Sequence, residues 1–256
     1  MIKTSSLLAK LAKKFPKRFA KEYHDHVGLM VGRLPEYVNS IYLALDFEPS
    51  IFEEAVKLKP DLIITHHPFV YGSRAKIRKT DPQKDAFIQQ VSAAGLVVYS
   101  LHTNFDRGQD GMNDALAQAL GLSDIKQLEK EPMARGGKLP YPMSIHQFGE
   151  YAKQKLQASY GLLLPYGKQI VETAAIIGGG GAPEYKIAQE EGYDVFISGD
   201  MRHHIRRGII NDAYNYLDLP HEIESIFIPQ MEKILLSFDK DLIIKKAPLQ
   251  QQALVI

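Results

Sequence analysis

Short apolar runs alternating with amphipathic stretches set the plan of this chain. "VNSIYLALDF" (38–47) predicts a strand, "PSIFEEAVKLK" a helix, and "DLIIT" (61–65) a second strand. A polar stretch, "YGSRAKIRKTDPQKD", leads into a helical "AFIQQVSAAG", with Gly95 as its C-terminal stop. "LVVYSLH" is the next strand and "GMNDALAQALGL" the next helix, ending in Gly121. The pattern weakens from about 125 to 150, where three prolines and two adjacent glycines mark a connection between halves, a hairpin being one form it can take. Then follow a helix, "HQFGEYAKQKLQASYG", a strand, "KQIVETAAIIGGGG", the Asp-led strand "DVFIS", a helix through "MRHHIRRGIINDAYN", and the short strand "YLDLPH". Strands alternating with helices predict an α/β fold with a largely parallel sheet, in two repeats, 1–125 and 126–256.

The repeats are visible at one offset. Leu43 falls on Ile176, Ala55 on Ala188 and Asp61 on Asp194, each pair 133 residues apart. Both copies read strand, turn, helix, Asp-led strand, so duplication is the favoured reading.

Near the start, Leu7, Leu8 and Leu11 predict an amphipathic helix with a basic solvated face, Ser5 or Ser6 as its N-cap and Pro16 as its end. The segment lacks the continuous apolar core of a secretory signal; a transit or anchoring role is the minor alternative. No apolar run is long enough to span a bilayer.

Composition narrows the chemistry. The chain is 256 residues with a formal net charge of +1, so nothing global argues for nucleic acid or an anionic membrane. It has no cysteine, which fits a cytoplasmic location and leaves only nitrogen and oxygen ligands for any metal.

Candidate ligands gather at strand ends. "THHPF" places His66 and His67 after an apolar run, and Pro68 stops the ladder there, so both rings can swing to one side. "SLHTNFDRG" supplies His102 and Asp106, and "LPHEIES" supplies His221, Glu222 and Glu224. In a helical turn His221 and Glu224 share a face, whereas Glu222 is displaced. In open α/β sheets ligands collect beyond the carboxyl ends of the strands. Gly178–Gly181 lacks the register of a phosphate loop but allows close backbone approach, and reads as an active-site loop in preference to a structural turn. His203 and His204 lie with Arg202, Arg206 and Arg207 on a helix rim: solvated surface, or a phosphate contact near the site. His24-Asp25-His26 follows no apolar strand and is read as lying outside any ligand set.

"YHDHVGLMVG", "LALDFEPSIFEEA", "DLIITHHPF", "SLHTNFDRG", "GYDVFISGD" and "PHEIES", in that order, resemble the Nif-three-like dinuclear metal proteins, often labelled GTP cyclohydrolase type 2-like. The likeness runs from residue 1 to about 235. It implies two related, intertwined α/β repeats that can count as one domain, mostly parallel mixed sheets, and a dinuclear metal site in the cleft between them. It also implies a toroidal homohexamer. The implied ligands of two divalent ions (Zn, Fe, Mn or Co) are His66, His67, Asp106, His221 and Glu224, with Glu224 bridging, and His102 is placed as a proton-transfer group. The implied activity is metal-dependent hydrolysis, GTP cyclohydrolase-like, on a small molecule such as a nucleotide; a non-catalytic hexameric metal- or partner-binding protein and a phosphoesterase are the alternatives. The chain departs from the family pattern where Trp-Asp-Asn is usual, having His24-Asp25-His26 instead, and it lacks the domain inserted in longer members.

Overall fold

The computed structural model describes residues 1–248. Among these the chain forms two compact units: Met1–Gln109 with the described residues from Phe227 onward, and Asp110–Ile226.

The first unit opens with β1 (Ile2–Lys3) and α1 (Thr4–Lys14), whose Leu7 and Leu11 are fully buried. The helix starts at Thr4, ahead of the expected serine caps. The cause is strand pairing: β1 lies antiparallel to β3 (Tyr37–Val38), and the Thr4 N–H donates to the Glu36 carbonyl at 3.0 Å. Pro16 ends α1 as expected and precedes α2 (Lys17–Glu22). After β2 (Gly28–Val31) come β4 (Ser40–Ala44), α3 (Pro49–Leu58) and β5 (Leu62–Thr65).

The polar stretch after β5 is helical, a difference from the sequence reading. It forms α4 (Arg74–Thr80), then α5 (Pro82–Ala93). Side-chain caps explain it. Ser73 accepts from the Lys76 N–H, Asp81 accepts from the Lys84 N–H, and Pro82 sits in the first turn of α5. Next come β6 (Val98–Ser100) and α6 (Thr103–Arg107).

The second unit holds α7 (Met112–Ala119), β7 (Ser123–Gln127), β8 (Arg135–Ser144), α8 (Ile145–Lys155), β9 (Leu162–Pro165), β10 (Ile170–Ile176), α9 (Tyr185–Glu190), β11 (Val195–Ser198), α10 (His203–Asn211) and β12 (Asn215–Asp218). The weakly patterned connection is the antiparallel β7–β8 pair. The register between β8 and β10 shifts between Val171 and Thr173, and Pro140 and Pro142 fall in the residues of β8 left over there, where a missing N–H costs no ladder bond. The chain then returns to the first unit as α11 (Phe227–Phe238) and β13 (Ile243–Lys246).

The five-stranded sheet of the first unit has the order β13-β4-β5-β6-β2, parallel except for β2. The six-stranded sheet of the second has the order β7-β8-β10-β11-β12-β9, with β10, β11 and β12 parallel to one another and the other neighbouring pairs antiparallel. One face of the first sheet packs under Ile51, Phe69, Phe87 and Ile88; the second packs Phe196 and Tyr216 against Tyr185 and Ile209.

Repetition reaches the hydrogen bonds. Asp61, leading β5, accepts from the backbone N–H of Asn39 and Ser40 at 2.8 Å each, and its own N–H donates to Ser40 Oγ at 3.1 Å. Asp194, leading β11, accepts from Glu172 and Thr173 at 2.9 and 3.1 Å, and its N–H donates to Thr173 Oγ1 at 3.0 Å. Every partner lies 133 residues on from its counterpart. A carboxylate locking two neighbouring parallel strands at the same register accounts for the two Asp-led strands.

Candidate metal centre

In the first unit, two strand ends deliver the candidate donors, β5 with His66 and His67 and β6 with His102 and, on α6, Asp106. His66 follows β5 directly and is fully buried, its ring against Phe227 and Phe105 at centroid distances of 5.3 and 6.2 Å. Backbone bonds from His66 and His67 to the Leu45 carbonyl, 3.1 and 3.0 Å, hold the turn beyond the strand. The two rings come within 4.8 Å of each other, centroid to centroid, and His102 stands 5.1 and 5.6 Å from them. One nitrogen from each of His66, His67 and His102 lies within 4.8 Å of the other two, a spacing that could hold an ion. Asp106, on α6, puts Oδ1 3.5 Å from His66 Nε2.

What each histidine does with its other nitrogen is informative. His66 Nδ1 lies 3.0 Å from the Leu101 carbonyl, which can only accept, so Nδ1 carries a proton and Nε2 is the nitrogen turned toward the other donors. His67 Nδ1 is 2.9 Å from Asp46 Oδ2. His102 Nδ1 is 2.7 Å from Asp25 Oδ2, and Thr103 Oγ1 donates to the same oxygen at 2.7 Å. Burial pushes the Asp25 carboxyl up, but hydrogen bonds from His102, Thr103 and the His26 N–H overcome it and hold its pKa at about 2. Asp25 is therefore an anion at neutral pH. For His102, burial opposes the charge, but the Asp25 hydrogen bond and the nearby Asp106 raise its pKa above the usual histidine value. This Nδ1-down, Nε2-forward arrangement is the one by which proteins orient metal-binding imidazoles.

In the second unit, β12 leads through Leu219 and Pro220 into a 3₁₀ turn, His221–Ile226. Residues three apart eclipse in that geometry, so His221 Nε2 meets Glu224 Oε2 at 3.0 Å. His221 Nδ1 again goes to a carboxylate, Asp200 Oδ2, at 2.7 Å. The Glu224 bond is the main reason that His221 has its pKa raised to about 9; burial opposes it and Asp200 adds to it. Glu224 is buried, whereas Glu222 is partly exposed.

The glycine run explains how Glu224 fits. Gly179 has φ +65°, and a Cβ there would lie 2.5 Å from Glu224 Oε1 and 3.1 Å from the His221 ring. A Cβ on Gly178 would come within 3.3 Å of Glu224 Oε1. The close approach that Gly178 and Gly179 allow is thus to Glu224, and at Gly179 also to His221. His203 and His204, by contrast, are exposed on the first turn of α10.

Sequence reasoning named His66, His67, His102, Asp106, His221 and Glu224 as candidates; it placed Asp200 at a strand end without a role and gave none to Asp25 or Asp46. Asp25 was left out of the ligand set, and among the described residues none of the groups of donors close enough to hold an ion includes it; it holds the His102 ring. Its signal was the departure from Trp-Asp-Asn, in which the aspartate alone is kept.

Donor type and spacing in the first unit could hold a divalent metal. The family model described as Duf34/NIF3 (NGG1p interacting factor 3) matches residues 2–251. A Lactococcus lactis protein named GTP cyclohydrolase 1 type 2 homolog is 30% identical over 247 residues, covering 93% of each chain. Another of that name from Streptococcus pneumoniae is 28% identical, covering 88% of this chain and 87% of its own. A Bacillus cereus protein related to NIF3 superposes with TM-score 0.87 over 99% of both chains at 20% identity, a likeness of fold. Together with the ordered motifs and the doubled α/β architecture, these matches make the chain a member of the Duf34/NIF3 family.

Proposed function

We propose that this protein is a dinuclear divalent-metal-dependent hydrolase. In this reading His66, His67, Asp106, His221 and Glu224 hold two ions of Zn, Fe, Mn or Co, and His102 moves the proton. The observation that carries it is the treatment of Nδ1 on His66, His67, His102 and His221, each tied to a carbonyl or carboxylate oxygen at 2.7–3.0 Å. Metal-ligating histidines almost always tie the other ring nitrogen in this way, and four histidines sharing it support that reading.

Two ions, when bound, lower the pKa of water and steady an attacking and a leaving oxygen. The chain's own groups supply the rest. Asp25 fixes the His102 ring and favours its protonated form, so Nε2 can take a proton and return it to a leaving group. Glu224, buried beside two glycines, is the carboxylate that would offset the mutual repulsion of two cations. Phe105 and Phe227 shield His66 from water.

The relatives' naming directs the substrate reading to a nucleotide, with C8 of a guanine ring as the electrophile in the cyclohydrolase version. A toroidal homohexamer and a cytoplasmic location belong to the same reading; sedimentation of the 28.8 kDa chain as a single monomer would remove the hexamer. No helix among the described residues is long and apolar enough to cross a membrane.

The test is His102→Ala in metal-loaded protein assayed against a panel of nucleotides and phosphoesters. Metal content should stay near that of the parent while the rate falls by roughly 10²–10⁴-fold. Loss of metal in proportion to rate makes His102 a ligand; a parent inactive on every compound leaves the metal-binding assembly as the function.

A further inference from the structure

The first unit contains a cavity of about 430 Å³ whose lining includes none of the proposed metal donors and shares only Asp25 with the site around them. Lys17 and Lys21 line it, together with Asp25, His26, Leu29 and Met30. The volume lies in the range of small-molecule sites, roughly 300–1,000 Å³.

Its charge is concentrated on one wall. Lys17 and Lys21 stand four apart on α2 and so project from the same face of the helix. Two like charges at that spacing repel, and neither nearby acid forms an ion pair with them. Glu22 pairs with Arg107, and Asp25 is committed to His102 and Thr103. Among the described residues neither ammonium has an ion-pair partner. Gly28 contributes as well: at φ +112°, a Cβ there would lie 2.7 Å from Lys17 Nζ. The missing side chain lets the ammonium rest against the backbone beside the cavity.

The opposite character comes from Leu29, 44% exposed, and Met30. His26 stands edge-on to Tyr71 at 6.5 Å, adding flat aromatic surface. Paired cations beside an apolar and aromatic wall suit a ligand with an anionic end and a planar, weakly polar body. Asp25 links the cavity to the chemistry, since the carboxylate that lines it also accepts from His102 Nδ1.

We propose that this cavity is the substrate-anchoring site, in which Lys17 and Lys21 bind the phosphate of a phosphorylated, ring-bearing small molecule. This rests on the hydrolase reading for its purpose but not for its test. Both lysines are positioning residues. They hold the phosphate, and the ring lies along Leu29 and Met30 with its reacting end toward His102.

The experiment is calorimetric titration of the full-length, metal-loaded protein with AMP and with adenosine, metal content being measured on each preparation. AMP should bind at least about tenfold more tightly than adenosine, and its affinity should fall as salt rises. Lys17→Ala/Lys21→Ala should lose at least about tenfold in AMP affinity with metal content unchanged, whereas Lys17→Arg/Lys21→Arg should keep most of it. Equal affinity for AMP in the parent and the alanine variant would place the phosphate elsewhere and overturn the proposal, as would indifference to the phosphate or no AMP binding at millimolar concentration. Parent protein that takes up no metal on loading, yet shows the lysine-dependent difference, would sink the hydrolase reading and leave the anchoring site standing.

Discussion

Asp25 Oδ2 accepts a hydrogen bond from His102 Nδ1 at 2.7 Å, joining two residues 77 positions apart. The bond couples the loop after α2 to the end of β6. It also fixes which nitrogen of His102 is free to act.

Removing that acceptor has a pH signature. Asp25 has its pKa lowered to about 2, so its contribution is present above the ordinary aspartate value and lost as pH falls through about 2. His102 has its pKa raised, so its contribution is present below the ordinary histidine value and lost as pH rises through the folded one. In metal-free protein the two overlap between roughly pH 4 and 6.5. Asp25→Asn should cost of order 2 kcal/mol there and less at pH 9. Urea unfolding of both proteins at pH 5.5 and pH 9 checks this; an equal or larger deficit at pH 9 contradicts the pairing.

Gly179 is sterically committed to Glu224. Gly179→Ala meets a left-handed backbone, costing about 1–2 kcal/mol, and a contact of 2.5 Å with the carboxylate. The variant should unfold at a lower temperature and bind less metal. Gly192, also left-handed at φ +84° but with open space where its Cβ would go, is the control. Gly192→Ala should share the backbone penalty and keep its metal; equal metal loss in both variants would mean that the contact with Glu224 is irrelevant.

Metal binding should release a proton from His221. With its metal-free pKa raised to about 9, chiefly by Glu224, the ring is protonated on both nitrogens at pH 7. The His221–Glu224 bond stabilises the metal-free fold below the ordinary histidine value, and that stabilisation is lost as pH rises through about 9. An ion taking Nε2 displaces the proton. Calorimetry in buffers of different ionisation enthalpy should count about one more proton released at pH 7 than at pH 9.5. The same count at both pH values would remove His221 from the ligand set.

The strand ends were legible because three of the motifs put histidines directly after apolar runs, and chain order alone carried them to the edges of parallel strands. Choosing Glu224 over Glu222 needed only a helical turn, and the 3₁₀ geometry sharpened that choice. The 133-residue offset was legible in Asp61 and Asp194, although their shared strand-locking role emerged only with the backbone bonds. What was not legible depended on contacts distant in sequence. The edge strand β9 pairs with β12 from 50 residues away, and "LLLP" carries no alternation to announce it. The return of α11 and β13 to the first unit is set by the pairing of β13 with β4, two hundred residues earlier in the chain. Asp25 likewise gains meaning only from His102. The helix α4 is a different kind of miss, since Ser73 and the Asp81-Pro82 pair were local signals that its polar composition concealed.

Two ions held by the named donors are the central expectation, and elemental analysis of three proteins purified without chelator and reconstituted side by side decides it. The parent should contain close to two transition-metal ions per chain, because five nitrogen and oxygen donors exceed what one zinc ion usually takes. Glu224→Ala should lose occupancy of both ions, since it removes the carboxylate that offsets their repulsion. Glu222→Ala should match the parent, its side chain being partly exposed and the His221 bond belonging to Glu224. A parent without tightly bound metal after reconstitution, or a Glu222 variant depleted more than the Glu224 variant, would contradict it.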